Sequence, residues 1–101
     1  SPDLVGLAPL ILAHHERWDG SGYPQGLKGE EIPLISRIVA LVDAFDIMTH
    51  PQGYGTPTRT HREAAQQIAE GAGTQFDPYL ARLFLRILAG EGPPTQAVTG
   101  E

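Results

Sequence analysis

The sequence predicts an all-α domain of about four helices joined through two long glycine- and proline-rich loops. Three observations carry that prediction. Apolar residues recur three and four apart in separate stretches, the spacing of a helix face. Helix start signals stand where several of these stretches begin, and no stretch alternates with the period of a strand. Between the stretches, glycine and proline crowd two segments at a density that no regular element tolerates.

The first helix is expected over Leu4–Glu16, where Leu4, Leu7, Ala8, Ile11 and Leu12 share one face and Pro9 kinks it or marks its start. Arg17 to Pro33 follows as a loop holding Gly20, Gly22, Pro24, Gly26 and Gly29. Connections beyond roughly 12–15 residues in a compact domain are usually functional or disordered. A second helix is expected over Pro33–Thr49, with Pro33 opening it. Its apolar residues wrap nearly all round, which predicts burial. His50 to Arg59 reads as the second loop. Thr60 and Glu63 form a capping box for a third helix ending at Gly71 or Gly73. Asp77 and Pro78 supply the N-cap and first position of a fourth, Tyr79–Ala89, whose stripe is Leu80, Leu83, Phe84, Ile87 and Leu88. Glu91 to Glu101 reads as a loose tail.

Composition narrows the function. With 101 residues and 41% apolar content, one small domain or a piece of a larger one is the expectation. A net charge of −5 with seven Lys plus Arg argues against a nucleic-acid backbone binder, which needs a basic face. A small phosphate ligand is still compatible, because bound metal supplies positive charge locally. There is no cysteine, so disulfides and thiolate metal sites are excluded. No apolar run reaches the roughly 18 residues of a membrane span. Ser1-Pro2-Asp3 shows no basic signal-peptide region and no start Met. The expectation is a cytoplasmic protein from which this chain is a part.

Three places carry potential chemistry. His14 and His15 close the first helix, and adjacent helical residues point about 100° apart. They suit two different ions, or one ligand with its supporter, or two ordinary histidines at a helix C-terminus. Asp43 lies mid-helix among apolar residues, where a carboxylate needs a metal or an ion pair, with Arg37 or Arg17 as pairing candidates. Ser36 and Ala40 leave room on its face, and Asp46 follows there. A carboxylate with imidazoles suits Fe, Mn or Zn. In Asp19-Gly20-Ser21-Gly22-Tyr23-Pro24, the glycines allow close backbone approach, and Tyr23 offers a stacking ring and a hydroxyl. A plain turn with a packed tyrosine fits the same string.

Taken whole, His14-His15-Glu16-Arg17-Trp18-Asp19-Gly20-Ser21-Gly22-Tyr23-Pro24 resembles the motif that names the HD-GYP family. Further matches follow in order: Gly26 to Pro33, Ser36-Arg37-Ile38, Val42 to Asp46, and Gly71 to Pro78. The resemblance runs from about Ile11 to Leu88. It implies a partial HD-domain-like helical bundle, with residues 1–90 as the C-terminal portion of the domain and 91–101 as a flexible tail. Family members hydrolyse cyclic-di-GMP, and some act on related cyclic dinucleotides, at a site of two or three divalent ions, usually iron or manganese. Carried over by position, His14, His15 and Asp43 are metal ligands. Tyr23 is the loop tyrosine that contacts substrate, with Asp19, Gly22 and Pro24 of the same loop as further substrate-binding positions. Some members also dock a diguanylate cyclase domain through this loop. Half a domain further implies apolar faces that a second copy covers in a homodimer.

Two departures from the family pattern stand out. The His-Asp pair, expected upstream with a further metal His and a Lys, is absent: no His here is followed by Asp. Three candidate ligands remain, so metal binding by this chain alone is expected to be weak or absent. The family's Arg-Pro-Tyr-Arg/Lys run corresponds to Gln52-Gly53-Tyr54-Gly55, without either positive charge. Charged hydrogen bonds to phosphate contribute roughly 1.5–3 kcal/mol each, so either an altered substrate or a module that binds without cleaving is compatible.

Overall fold

The computed structural model describes residues 13–91. Of the helix expected over Leu4–Glu16, the described part, Ala13–His15, is a single 3-10 turn, and residues 4–12 lie outside the described residues. The tail expected from Glu91 lies outside them as well, apart from Glu91 itself.

Three α-helices occupy the described residues: α1 (Leu34–Thr49), α2 (His61–Gly71) and α3 (Pro78–Leu88). No strand is present among them. The helix starts follow the sequence signals. Thr60 caps α2 through its hydroxyl, which accepts from the Glu63 amide at 3.1 Å, while the Glu63 carboxylate accepts from the Thr60 amide at 2.9 Å. Asp77 caps α3 by accepting from the amides of Tyr79 and Leu80, at 2.9 and 3.2 Å. Pro78 holds the first helical position, directly after the cap, as its sequence position predicts. Pro33 precedes α1 as its cap residue.

The core is small. Leu41, Ile68, Phe76 and Ala81 are buried together, with Phe45, Met48, Leu80 and Phe84 packed around them. Phe45 and Phe84 meet edge-to-face at 5.5 Å between ring centroids. The expectation that α1 is buried all round is not met. Within it only Ser36 and Leu41 are buried, while Leu34, Ile35, Ile38, Val42 and Ile47 are exposed. Among the described residues, the Ala13–His15 turn and the two other helices are the elements that pack on α1, so part of its apolar circumference is left uncovered.

The Arg17–Pro33 loop has one regular piece, the 3-10 turn Gly29–Glu31, and it is tied down elsewhere. The amides of Trp18 and Asp19 donate to the carbonyls of Gln75 and Thr74, at 3.2 and 2.9 Å. That docks the loop on the turn before α3. The turn itself closes on Gly71, whose carbonyl accepts from the amides of Thr74, Gln75 and Phe76. A Cβ at Gly71 would stand 3.0 Å from the Phe76 ring, so the glycine admits the core aromatic. Arg37 pins the far end: Nε donates to the Ile32 carbonyl and Nη1 to the buried Asp77 carboxylate, at 2.9 and 2.8 Å. One guanidinium thereby joins loop, α1 and α3.

Candidate metal centre

The 3-10 turn, α1 and the loop enclose a cleft of about 280 Å³. His14, His15, Arg17, Tyr23, Asp43 and Gln75 line it with polar atoms, and Ala40, Ala44 and Ile47 form its apolar side. The sequence-derived ligands His14, His15 and Asp43 thus meet in one place. His14 Nε2 stands 3.6 Å from Asp43 Oδ2. The His14 and His15 rings lie 4.0 Å apart, tilted by 37°. Tyr23 stacks on His15 at 4.9 Å with the planes within 9°.

Several expectations about these residues need correction. Asp43 was expected in a buried setting, yet its side chain is 44% exposed toward the cleft, so it bears little of the desolvation cost foreseen for a core carboxylate. Neither proposed arginine pairs with it: Arg37 binds Asp77, and Arg17 turns to Ser21 and Asp19. Ala40 provides room beside Asp43, but Ser36 is fully buried and does not line the cleft. Asp46 also points elsewhere, pairing with His50 at 3.1 Å on the exposed end of α1.

Of the four loop residues expected at the substrate, Tyr23 alone lines this cleft. Asp19 accepts from the Ser21 hydroxyl and amide at 2.6 and 3.0 Å. These bonds, the hydroxyl first, hold its carboxyl below the ordinary aspartate value, with Arg17 adding its charge. Gly22 packs against backbone: a Cβ there would come within 2.5 Å of the Arg17 nitrogen and closer still to the His15 carbonyl oxygen. Pro24 follows Tyr23 through a cis peptide and is exposed.

Sequence reasoning quoted Glu16 without giving it a role. It is buried, 4% exposed, and its two oxygens accept from the amides of Gln25 and Leu27 at 2.7 and 2.8 Å. The available signal was one acid standing beside a glycine-rich loop whose backbone amides need acceptors. Gln75 and the apolar wall of Ala44 and Ile47 were missed too, since nothing local in sequence joins them to His14.

The donor chemistry fits half of a metal shell. Two ligands each about 2.1 Å from one ion stand roughly 3.0–3.4 Å apart, so His14 and Asp43 reach that spacing with a small inward shift. His15 lies beside them beneath Tyr23. Among the described residues no group of three or more such side chains is already gathered for one ion.

Comparison with known proteins places the chain in a family. The family model described as "HD domain" matches residues 2–80. The chain belongs to the HD domain family, and the HD-GYP resemblance of its sequence stands within it. Divalent-metal dependence is a general property of that family. A probable cyclic di-GMP phosphodiesterase of Vibrio cholerae is 46% identical over 83 residues, covering 81% of this chain and 19% of that protein. A cyclic di-GMP phosphodiesterase of Thermotoga maritima is 44% identical over 87 residues, 86% of this chain and 23% of that protein. A 3'3'-cGAMP-specific phosphodiesterase of Vibrio cholerae is 40% identical over 83 residues, 81% of this chain and 16% of that protein. The chain therefore spans about a fifth of the length of these relatives. No helix among the described residues is long and apolar enough to cross a membrane.

Proposed function

We propose that this chain is the C-terminal part of an HD-GYP phosphodiesterase that hydrolyses a cyclic dinucleotide, cyclic-di-GMP first among them. The approach of His14 Nε2 to Asp43 Oδ2, 3.6 Å apart in a cleft walled by Tyr23, carries the reading. His14 and Asp43 hold one divalent ion, iron or manganese, and His15 serves a neighbouring ion; the remaining ligands come from outside this chain. When bound, such ions supply Lewis acidity to the phosphoryl group and a lowered pKa for the attacking water. The chain's own residues do the rest. Tyr23 presents a ring face for a base, Arg17 sets a positive charge at the cleft wall, and Ala40 and Ala44 keep the floor open. The cysteine-free composition suits a cytoplasmic setting.

In the protein that carries the complete ligand set, cyclic-di-GMP incubated with Mn(II) or Fe(II) is converted to linear dinucleotide or GMP, and Asp43→Ala abolishes the conversion. Chromatography of the products reads both. Undiminished turnover in the variant sinks the assignment of Asp43.

A second reading has its own support. Tyr23 is 61% exposed, and Pro24, Gln25 and Gly26 beside it are exposed as well. Gln52 and Gly55 carry no charge for substrate phosphates. In this reading the loop docks a diguanylate cyclase domain without cleaving nucleotide, and His15→Ala leaves that docking intact.

A further inference from the structure

We propose that Glu16 is a positioning residue of the cleft, holding the Tyr23 ring over His15 by tying down the loop that carries it. The functional meaning rests on the cleft being the metal site proposed above. The structural core of the proposal does not.

Burying a carboxylate costs free energy unless its oxygens are well bonded. Glu16 meets that condition with two charge-assisted bonds to backbone amides nine and eleven residues ahead. The segment so captured has few other anchors. Ser21, Tyr23, Pro24, Gln25 and Gly26 are all exposed, and none adds a side chain to the buried cluster. Apart from Glu16, Tyr23 is held by its own amide, which donates to the His15 carbonyl at a long 3.3 Å, by the close fit of Gly22 on the His15–Arg17 backbone, and through Ser21, which bonds Arg17 and Asp19. The Glu16 carboxylate lies immediately C-terminal to His15 in the chain. It fixes the loop at the point where the ring of Tyr23 comes to lie parallel to the His15 imidazole, 4.9 Å away. Loss of the two bonds frees Gln25 and Leu27, and the returning loop is then held only from Gly29 onward, whose amide donates to the Trp18 carbonyl at 2.9 Å. Tyr23 then leaves the imidazole, and His15 loses the surface that sets its ring plane. Partners that orient a metal-binding histidine in this way typically matter 10–100-fold for metal affinity or activity.

The test is nuclear magnetic resonance on the full 101-residue chain without metal. Stacking beneath Tyr23 shifts the His15 Hδ2 and Hε1 resonances upfield, and Tyr23→Leu gives their unstacked position. Glu16→Gln keeps the shape of the side chain but sets an NH2 against a backbone N–H. It is expected to move both His15 resonances to the Tyr23→Leu position while circular dichroism keeps the helical signal. His15 resonances unmoved in Glu16→Gln overturn the proposal. Should that variant not fold, amide exchange in the wild-type chain decides: Gln25 and Leu27 are expected to exchange more than about tenfold slower than Gly26, and equal rates overturn the proposal. Where Mn(II) binds the wild-type protein, Glu16→Gln weakens it by about 10–100-fold. Absence of Mn(II) binding by this chain means that ligands outside it are indispensable, and leaves the resonance result to stand or fall by itself.

Discussion

Gly22 is the residue with least room for change. A methyl group there collides with the backbone of His15 and Arg17, and neither can yield without moving the turn that carries both histidines. Gly22→Ala is expected to cost about 1–3 kcal/mol, the range for overpacking a tight site, and to unstack Tyr23 from His15. Thermal melts read the first effect and the His15 ring resonances the second. At this scale the sequence was informative about chemistry and silent about support. His14, His15, Asp43 and Tyr23 each fit an ordinary structural role when read alone and stood out because the HD-GYP-like motifs carry them, and the structure gathers all four in one cleft. Glu16 could not, because its partners are backbone amides that any residue supplies. Asp19, expected at the substrate, accepts from Ser21 within its own turn; a turn that satisfies its own acid is spelled with the same letters as a binding loop.

At the scale of elements, the most informative contact joins Arg37 to Asp77, forty residues apart, at 2.8 Å. Asp77 caps α3 with one oxygen and receives Arg37 with the other. Both side chains are largely buried, so removing the cation leaves a buried carboxylate without its counter-charge. Arg37→Ala is expected to cost about 3–5 kcal/mol. Thr60→Ala, which removes only the exposed cap of α2, is expected to cost about 1 kcal/mol. Urea unfolding of the two variants measures the contrast, and similar losses would mean that Arg37 is not the pin described. The starts of α2 and α3 were legible because capping is local: donor and acceptor lie within three residues of each other. The surroundings of α1 were not. Counting apolar residues around a helix shows what it wants covered, and which elements come near is decided by residues far along the chain.

The whole molecule is a small helical unit whose fold class was plain from its spacing, and whose surface was not. Leu34, Ile35, Ile38 and Val42 of α1 and Ile87 of α3 are exposed, and between the two helices runs a groove lined by Ile38, Leu41, Val42, Leu80, Leu83, Phe84 and Ile87. Every lining residue is apolar. Such a face suits an interaction surface, and the homodimer expected from the sequence would set a second copy over it. Light scattering of the chain is expected to give twice the monomer mass, reverting to the monomer when Val42 is replaced by Glu. A wild-type monomer would rule out this assembly. The cleft of His14 and Asp43 lies on another side of α1, lined by Ala40, Ala44 and Ile47, so self-association leaves it open.

The proposed function rests on His14 and Asp43 converging to hold a divalent ion. Titration of Mn(II) into the purified chain, alongside Asp43→Ala, tests it most directly. The expected result is binding by the wild-type chain that is weak for want of the other ligands, and that falls at least about tenfold in the variant. Binding that is equal in the two proteins would contradict it, whereas no binding in either would mean that the ligands outside this chain are indispensable.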